Sequence, residues 1–339
     1  MKISAYYKSI NCEVFLKTDY ENLDTYDKVF VSKVFTDTPI ADEVLDNENV
    51  TYGGTGFFYD KSPKLPDEIE HIFPDYYLYD EWVKAKIKSG TKPSDLKYYT
   101  DYSIGFLSRG CFRQCQFCVN RNYTQVSKHS PISEFLDEAR PKICLLDDNF
   151  LGLSCWKELL LELQSTNKPF QFKQGLDERI LTDEKCEILF KSKYDGDYIF
   201  AFDNIKDSEL IERKLQLIRR YTKRRLKFYV FCGFDRDNVW DKSFWDNDLL
   251  DLMVRIEILM KYNALPYIMR FMRYTESPYA SLYNNIARWC NQPAFFAKKS
   301  FREFAKLREG GIGWRTMLKA ESEIDELTKY FDMKWKENL

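Results

Sequence analysis

Three cysteines in one short segment, Cys111, Cys115 and Cys118, have the spacing of iron–sulfur ligands. They lie in the run Ser108-Arg-Gly-Cys-Phe-Arg-Gln-Cys-Gln-Phe-Cys118, which fits a loop around one corner of a cubane cluster. A [4Fe–4S] cluster usually takes four protein thiolates. Three thiolates leave one iron open to a small molecule. The spacing therefore predicts chemistry at that iron rather than electron storage.

The Cys-x3-Cys-x2-Cys pattern, with Phe117 before the third cysteine, resembles the signature of the radical S-adenosylmethionine (SAM) superfamily. The resemblance implies that the open iron binds the amino and carboxylate groups of SAM. It also implies reductive cleavage of SAM to a 5′-deoxyadenosyl radical, which abstracts hydrogen from a substrate, here a nucleobase or a peptide among the candidates. A reductant such as flavodoxin or ferredoxin would supply the electron.

A zinc site is the main alternative for the same cysteines. Zinc needs a fourth ligand, and the nearest histidine, His129, is separated from Cys118 by ten residues. That interval does not match the short histidine spacings of common zinc sites. A non-catalytic module that holds zinc or a redox cluster is thus the alternative to an enzyme.

The composition is that of an ordinary globular protein with 339 residues, 44% hydrophobic and 31% charged. No apolar run approaches the ~18 residues that span a membrane, and the N-terminus has no apolar signal core. Nine cysteines without a secretion signal predict the reducing cytoplasm. The net charge of −2 gives no overall attraction to nucleic acid. The basic segment from Arg213 to Lys227 gives only weak support for nucleic-acid binding.

From about residue 101 strands alternate with helices, which predicts an α/β fold with a parallel sheet. The predicted strands are Tyr102–Leu107, Ile143–Asp147, Phe170–Gln174, Tyr198–Asp203, Leu226–Gly233 and Pro266–Phe271. Together with the resemblance, this predicts a partial (β/α)6 TIM-type barrel over residues 101–290. The cysteine loop follows the first strand, at the functional C-terminal face of such a barrel.

Residues 1–75 predict a small truncated Rossmann-like domain, similar to the cobalamin-binding-like domain of many radical SAM enzymes. Its predicted elements are a first helix Lys2–Ile10, strands Glu13–Leu16, Val29–Phe35 and Val50–Phe58, and a helical turn Ile40–Leu45. The Asp-x-His-x-x-Gly cobalt-ligand motif is absent, so we expect no cobalamin. Residues 76–100 are predicted as a linker, and residues 291–339 as a helical C-terminal cap.

The closest resemblance is to a little-characterised bacterial and phage family of radical SAM proteins, through segments that end the barrel strands. These are Ser108–Cys111, Leu146–Phe150, Gln174–Arg179 and Ala201–Asn204. Where relatives carry Gly-Gly-Glu for the SAM amino group, this chain has Asp147-Asp148-Asn149. Which of the three would bind the ammonium stays open, and a loop cap is the alternative for the paired aspartates.

Other residues are assigned by the same resemblance. Phe117 is expected near the adenine, Arg113 in the cluster loop, and Gln174 at the end of the third strand. Arg179 could hold the SAM carboxylate, with an ion pair to Asp177 or Glu178 as the alternative. Asp203 could reach ribose hydroxyls or substrate.

Cys232 is a candidate hydrogen-atom donor to a substrate radical, although a buried cysteine is usually an inert small hydrophobe. Tyr229, Asp235, Tyr267 and Arg270 are substrate-pocket candidates on the fifth and sixth strands or at their ends. Core packing is the alternative for the two tyrosines.

Cys115→Ala should abolish cluster binding without unfolding the chain, because the barrel core does not depend on that loop. Iron and sulfide analysis of anaerobically reconstituted protein, with circular dichroism for the fold, measures both effects. A full [4Fe–4S] signal in this variant would refute the ligand assignment.

Overall fold

The computed structural model describes residues 1–335, and the chain divides into two compact units, Met1–Asp148 and the chain from Asn149 onward. Both units combine helices with parallel strands, which confirms the predicted α/β class. Among the described residues no helix has both the length and the apolar character needed to cross a membrane.

The first unit carries short helices and strands in mixed order. Its helices are α1 (Lys2–Ser9), α2 (Asp42–Leu45), α3 (Thr55–Phe58), α4 (Asp67–Glu70), α5 (Asp80–Lys88) and α6 (Lys97–Thr100). Its strands are β1 (Val29–Ser32), β2 (Val50–Gly53), β3 (Tyr102–Gly105), β4 (Ser108–Arg109), β5 (Ser127–Lys128) and β6 (Lys142–Leu145).

The N-terminal strands β1 and β2 pair in parallel, in the register Val29 to Val50. Two sequence predictions here are wrong: Glu13–Leu16 forms no strand, and the strand predicted to reach Phe58 ends at Gly53. The chain turns at Gly54, whose φ of +101° favours glycine and where a Cβ would lie 2.3 Å from the Lys33 carbonyl oxygen. Because the backbone turns away there, residues 55–58 form helix α3 instead.

Residues 76–100, predicted as a linker, hold α5 and α6 and contribute to the core of the first unit. Tyr76, Val83 and Leu96 are buried. The Tyr76 hydroxyl donates to the Phe135 carbonyl at 2.6 Å and accepts from the Ile104 N–H at 2.8 Å. Tyr76 therefore ties this segment to strand β3.

Strands β3 and β6 pair in parallel, with Tyr102 opposite Lys142 and Gly105 opposite Leu145. Their carboxyl ends therefore lie side by side. The cysteine segment follows β3 and lies in the connection between β4 and β5, which pair as a two-residue antiparallel ladder. The Asp147-Asp148 pair follows β6, so the topology brings these two stretches together.

The second unit has longer helices and a parallel sheet in the order β8-β9-β10. Its strands are β7 (Phe170–Phe172), β8 (Tyr198–Ala201), β9 (Leu226–Cys232) and β10 (Ala264–Arg270). Its helices are α7 (Trp156–Ser165), α8 (Asp183–Phe190), α9 (Ser208–Tyr221), α10 (Lys242–Lys261), α11 (Ala280–Cys290), α12 (Pro293–Phe296), α13 (Phe301–Ala305), α14 (Ile312–Glu323) and α15 (Leu327–Phe331).

Burial along β8 and β9 follows the period of two that one covered face requires. In β9 the buried residues Leu226, Phe228, Val230 and Cys232 alternate with half-buried ones. The helices α10 and α11 contact β9 or β10 and bury apolar stripes that include Leu249, Met253 and Ile256. One face of the sheet is therefore core.

Each of the six strands predicted for the barrel is observed, with ends shifted by at most two residues. A barrel is not detected within residues 1–335, so the partial (β/α)6 arrangement stays a prediction. Strands β6 and β8 end two residues early, and an aspartate at the end of each predicted strand, Asp147 or Asp203, accepts backbone N–H groups of a neighbouring segment. Asp203, for example, accepts from the Phe231 N–H at 3.0 Å.

Tyr76→Phe should destabilise the protein by roughly 1–3 kcal/mol, because a buried N–H and a buried carbonyl lose their partner. Tyr77→Phe is the matched control, since Tyr77 is adjacent and 67% exposed. Urea unfolding of both variants measures the difference. Equal midpoints for Tyr76→Phe and Tyr77→Phe would contradict the role of Tyr76.

Candidate cluster-binding site

The cysteine loop runs from Gly110 to Asn120 and is shaped by two residues with positive φ. Gly110 has φ +94°, and a Cβ on it would lie 2.5 Å from the Gln125 carbonyl oxygen. Gln114, between the first two cysteines, has φ +50°. Only glycine suits the first position, because it combines a left-handed backbone with close approach of another chain segment.

Backbone N–H groups from within the loop donate to the sulfurs of Cys111 and Cys118. The Arg113 N–H points at Cys111 Sγ, and the Asn120 N–H points at Cys118 Sγ, each with an N···S distance of 3.4 Å. The Cys118 N–H donates to the Cys115 carbonyl at 2.9 Å, which closes a turn between the second and third cysteines. All three side chains are partly exposed.

This donor set fits an iron–sulfur cluster in its chemistry. Thiolates are the protein ligands of such clusters, and hydrogen bonds to their sulfurs help to set the reduction potential. The N–H groups at Cys111 and Cys118 are donors of that kind. Within residues 1–335, no group of three or more His, Cys, Asp or Glu side chains is arranged to hold a metal ion. The fit therefore rests on the donor types and on the N–H groups directed at sulfur.

Asp147 holds the start of the loop from the end of β6. Its Oδ1 accepts from the Ser108 N–H and the Ser108 Oγ–H, both at 2.6 Å, and its Oδ2 accepts from the Leu107 N–H at 3.2 Å. The side chain is fully buried. Burial raises the pKa of Asp147 to about 6, although the three donors favour the carboxylate. These contacts are those of a loop cap.

Asp148 contacts both ends of the cysteine loop. Its Oδ2 accepts from the Gly110 N–H at 2.8 Å, just before Cys111, and its Oδ1 accepts from the Asn120 side-chain amide at 2.7 Å, just after Cys118. The Arg109 guanidinium lies 3.8 Å from Oδ2. The aspartate pair thus binds the loop on which the cysteines are carried.

The other predicted residues of the loop are placed beside the cysteines. The Arg113 guanidinium lies over the Phe112 ring, 5.0 Å from its centre. Phe117 is partly buried, and its carbonyl accepts the hydroxyl of Tyr59. Arg121 pairs with Asp60 at 2.6 Å, so helix α3 and the turn after it pack against the end of the loop.

Four predicted SAM-binding residues belong to the second unit: Asn149, Gln174, Arg179 and Asp203. The Asn149 amide donates to Asp177 at 3.2 Å, and the Arg179 Nε donates to Asp177 at 2.8 Å. Arg179 also reaches Asp207 at 3.4 Å. The ion pair with Asp177, left open by the sequence, is therefore present.

Gln174 and Asp203 take no part in the hydrogen bonds named above, although the Arg179 charge acts on the Asp203 carboxylate. Gln174 is exposed, whereas the Asp203 carboxylate accepts the Phe231 N–H. Burial raises the pKa of Asp203 above its ordinary value.

Cys232 is 2% exposed, and its thiol points at the Met269 carbonyl at 3.6 Å. Burial raises the pKa of the Cys232 thiol well above its ordinary value, which fits an inert buried thiol. The Tyr229 and Tyr267 rings meet edge to face at 5.7 Å, while Arg270 contacts Asn284. Asp235 accepts the Val239 N–H at 2.7 Å in the loop after β9.

Most of the basic segment from Arg213 to Lys227 is engaged in contacts within the second unit. These include Arg219 with the Tyr262 carbonyl, Arg220 with Asp183, Arg224 with the Gly196 carbonyl and Arg225 with Asp197. Such contacts hold helix α9 against its neighbours, so the segment does not stand out as a site for nucleic acid.

Sequence reasoning missed Glu178 as a candidate titrating group. Glu178 is fully buried and accepts the Ala201 N–H at 3.3 Å through Oε2, while no described residue makes a hydrogen bond to its Oε1. Burial raises the pKa of Glu178 to about 8, and Asp177 adds to the shift. The only signal in the sequence was the Asp-Glu-Arg run, which does not show which carboxyl turns inward.

The two histidines of the chain form a cluster in the first unit that the sequence did not predict. The rings of His71 and His129 stack with their centres 5.1 Å apart. His71 faces Glu134 at 3.1 Å, and His129 faces Glu70 at 3.4 Å. With 57 residues between the histidines in the chain, their pairing has no local sequence signal.

Comparison of the chain with family models, curated proteins and solved structures finds no match.

Glu178→Gln should reduce the loss of stability between pH 5 and pH 8. The ordinary pKa of 4.5 is raised to about 8 in the fold, so folding takes up a proton in this interval. The stabilisation is complete below pH 4.5 and is lost as the pH rises through about 8, on the order of a few kcal/mol in total.

Glutamine cannot ionise, so thermal melting at pH 5, 6.5 and 8 should show a smaller decrease in Tm for Glu178→Gln than for the wild type. Glu162→Gln is the control, because Glu162 is exposed on α7. The same pH dependence in Glu178→Gln and the wild type would show that Glu178 is ionised in the folded protein.

Proposed function

We propose that this chain is a radical SAM enzyme with one [4Fe–4S] cluster, acting on a substrate that is not yet identified. The observation that carries the proposal is the Cys111-x3-Cys115-x2-Cys118 loop after β3, with amide N–H groups directed at two of its sulfurs. The finer fold proposed with it is the partial (β/α)6 barrel, preceded by a Rossmann-like domain and followed by a helical cap.

In this proposal Cys111, Cys115 and Cys118 would hold three irons as thiolates. The bound cluster would supply the electron for reductive cleavage of SAM to methionine and a 5′-deoxyadenosyl radical. The loop residues would keep the three sulfurs partly shielded from water. The N–H groups of Arg113 and Asn120 would stabilise the negative charge on two of them.

The contacts of Asp147 and Asp148 bear on which residue would bind the ammonium group of SAM. Asp147 is buried, and its oxygens accept three hydrogen bonds from Leu107 and Ser108. Its carboxylate is therefore used to hold the start of the loop. Asp148, which accepts two of the donors described above against three at Asp147, or Asn149 is the better candidate. Arg179 would have to share its guanidinium between Asp177 and the SAM carboxylate, which five N–H donors permit.

Cytoplasmic location, a flavodoxin or ferredoxin reductant and the absence of cobalamin are parts of the same proposal. The reducing compartment suits an oxygen-sensitive cluster and nine cysteines. The alternative is a non-catalytic module that holds zinc or a redox cluster on the same three cysteines, and metal analysis separates the two.

Anaerobically reconstituted protein, given dithionite and SAM, should form 5′-deoxyadenosine, and Cys115→Ala should form none. Cys12→Ala, which removes an exposed cysteine outside the loop, should retain the activity. Liquid chromatography with mass spectrometry measures the product.

Stoichiometric zinc without iron in the purified protein would contradict the proposal. If the cluster is intact and no product forms, SAM binding decides between a requirement for bound substrate and the loss of cleavage. Absence of both SAM binding and product would favour the non-catalytic module.

A further inference from the structure

We infer that Asp148 is a positioning residue that closes the cysteine loop at both ends and so fixes the N–H group that Asn120 directs at Cys118 Sγ. The inference rests on the proposed function where it concerns a bound cluster. The contacts themselves all lie within the first unit and belong to the protein chain.

The geometry places one carboxylate between the two ends of the loop. Asp148 Oδ2 lies 2.8 Å from the Gly110 nitrogen, one residue before Cys111. Asp148 Oδ1 lies 2.7 Å from the Asn120 side-chain nitrogen, two residues after Cys118. The loop therefore starts and ends on the same side chain, which itself follows β6.

A carboxylate is the side chain that this position requires. Both partners are donors, and an ionised carboxylate offers two acceptor oxygens with no hydrogen to oppose either donor. Hydrogen bonds to a charged acceptor are also stronger than neutral ones. The Asp148 side chain is only 10% exposed, so water competes little for its oxygens.

The charge of Asp148 is balanced within the same stretch of chain. Arg109 Nε lies 3.8 Å from Oδ2, and the Arg109 guanidinium lies 4.0 Å from the centre of the Phe106 ring. The Asp148 carboxylate therefore has a cation from the same stretch of chain close to it, within the first unit.

The consequence concerns Cys118. The Asn120 side chain is held by Asp148, while its backbone N–H lies 3.4 Å from Cys118 Sγ. Anchoring the side chain limits rotation of the residue and keeps the N–H on the sulfur. Because hydrogen bonds to the sulfurs of a cluster raise its reduction potential, releasing Asn120 should make the cluster harder to reduce.

Asp148→Asn tests the two contacts of Asp148 with Gly110 and Asn120, because an amide can accept from one donor but turns an N–H₂ group toward the other. In the metal-free protein, hydrogen exchange at the Gly110 and Asn120 amides should become about tenfold faster or more, as expected when a charged hydrogen bond is lost. In the reconstituted protein, the reduction potential should become more negative. Asp67→Asn, a substitution of an exposed aspartate on α4, should change neither.

The swap Asn120→Asp with Asp148→Asn provides the rescue. The new amide at 148 accepts the Gly110 N–H and donates to the new carboxylate at 120, so both bonds return with the same net charge. Asn120→Asp alone places two carboxylates against each other and should loosen the loop. The double variant should restore the exchange rates and the potential toward the wild-type values.

The inference is overturned if Asp148→Asn leaves exchange at Gly110 and Asn120 unchanged. It is also overturned if the double variant folds with the wild-type Tm but keeps the fast exchange and the lowered potential. The hydrogen-exchange measurement uses metal-free protein, so it tests the contacts of Asp148 whichever metal the wild type binds. Zinc uptake by the wild type would contradict the proposed function alone.

Discussion

The candidate site depends on one set of interactions, in which two neighbouring aspartates at the end of β6 accept N–H groups from the chain that leaves β3. Asp147 accepts the backbone N–H groups of Leu107 and Ser108. Asp148 accepts the backbone N–H of Gly110 and the side-chain amide of Asn120. The parallel pairing of β3 with β6 makes this possible, because it places both carboxyl ends at one edge. Without these two carboxylates, the N–H groups at both ends of the cysteine loop would lose their acceptors, and the loop would lose the contacts that hold it to β6.

Sequence reasoning could predict the parts of this arrangement that have local signals. The cysteine spacing and the alternating burial of strands such as β9 are visible in the chain, and each of the six barrel strands is observed. The partners of Asp147 and Asp148 were not predictable, because they lie about 28 to 40 residues away and depend on strand register. The strand predicted over residues 50–58 failed because Gly54 turns the chain by a close approach to Lys33, which no apolar pattern reveals.

Burial sets the electrostatics of the polar residues beyond the strands. Asp147, Asp203 and Glu178 all have raised pKa values because burial disfavours their charged forms. The three differ in their donors: Asp147 has three, whereas Asp203 and Glu178 each accept one of the backbone N–H groups described above. Burial raises the pKa of Glu178 to about 8, so this carboxyl is protonated at neutral pH, which its sequence neighbours Asp177 and Arg179 do not indicate. The degree of burial causes this shift.

We propose that three thiolates of one loop hold a cubane cluster whose fourth iron is open to SAM. Mössbauer spectroscopy of protein reconstituted anaerobically with ⁵⁷Fe, recorded with and without SAM, tests it most directly. We expect a [4Fe–4S] spectrum in which one iron site changes when SAM is added while the other three stay the same. A spectrum with four sites indifferent to SAM, or a protein that takes up zinc and no iron, would contradict it.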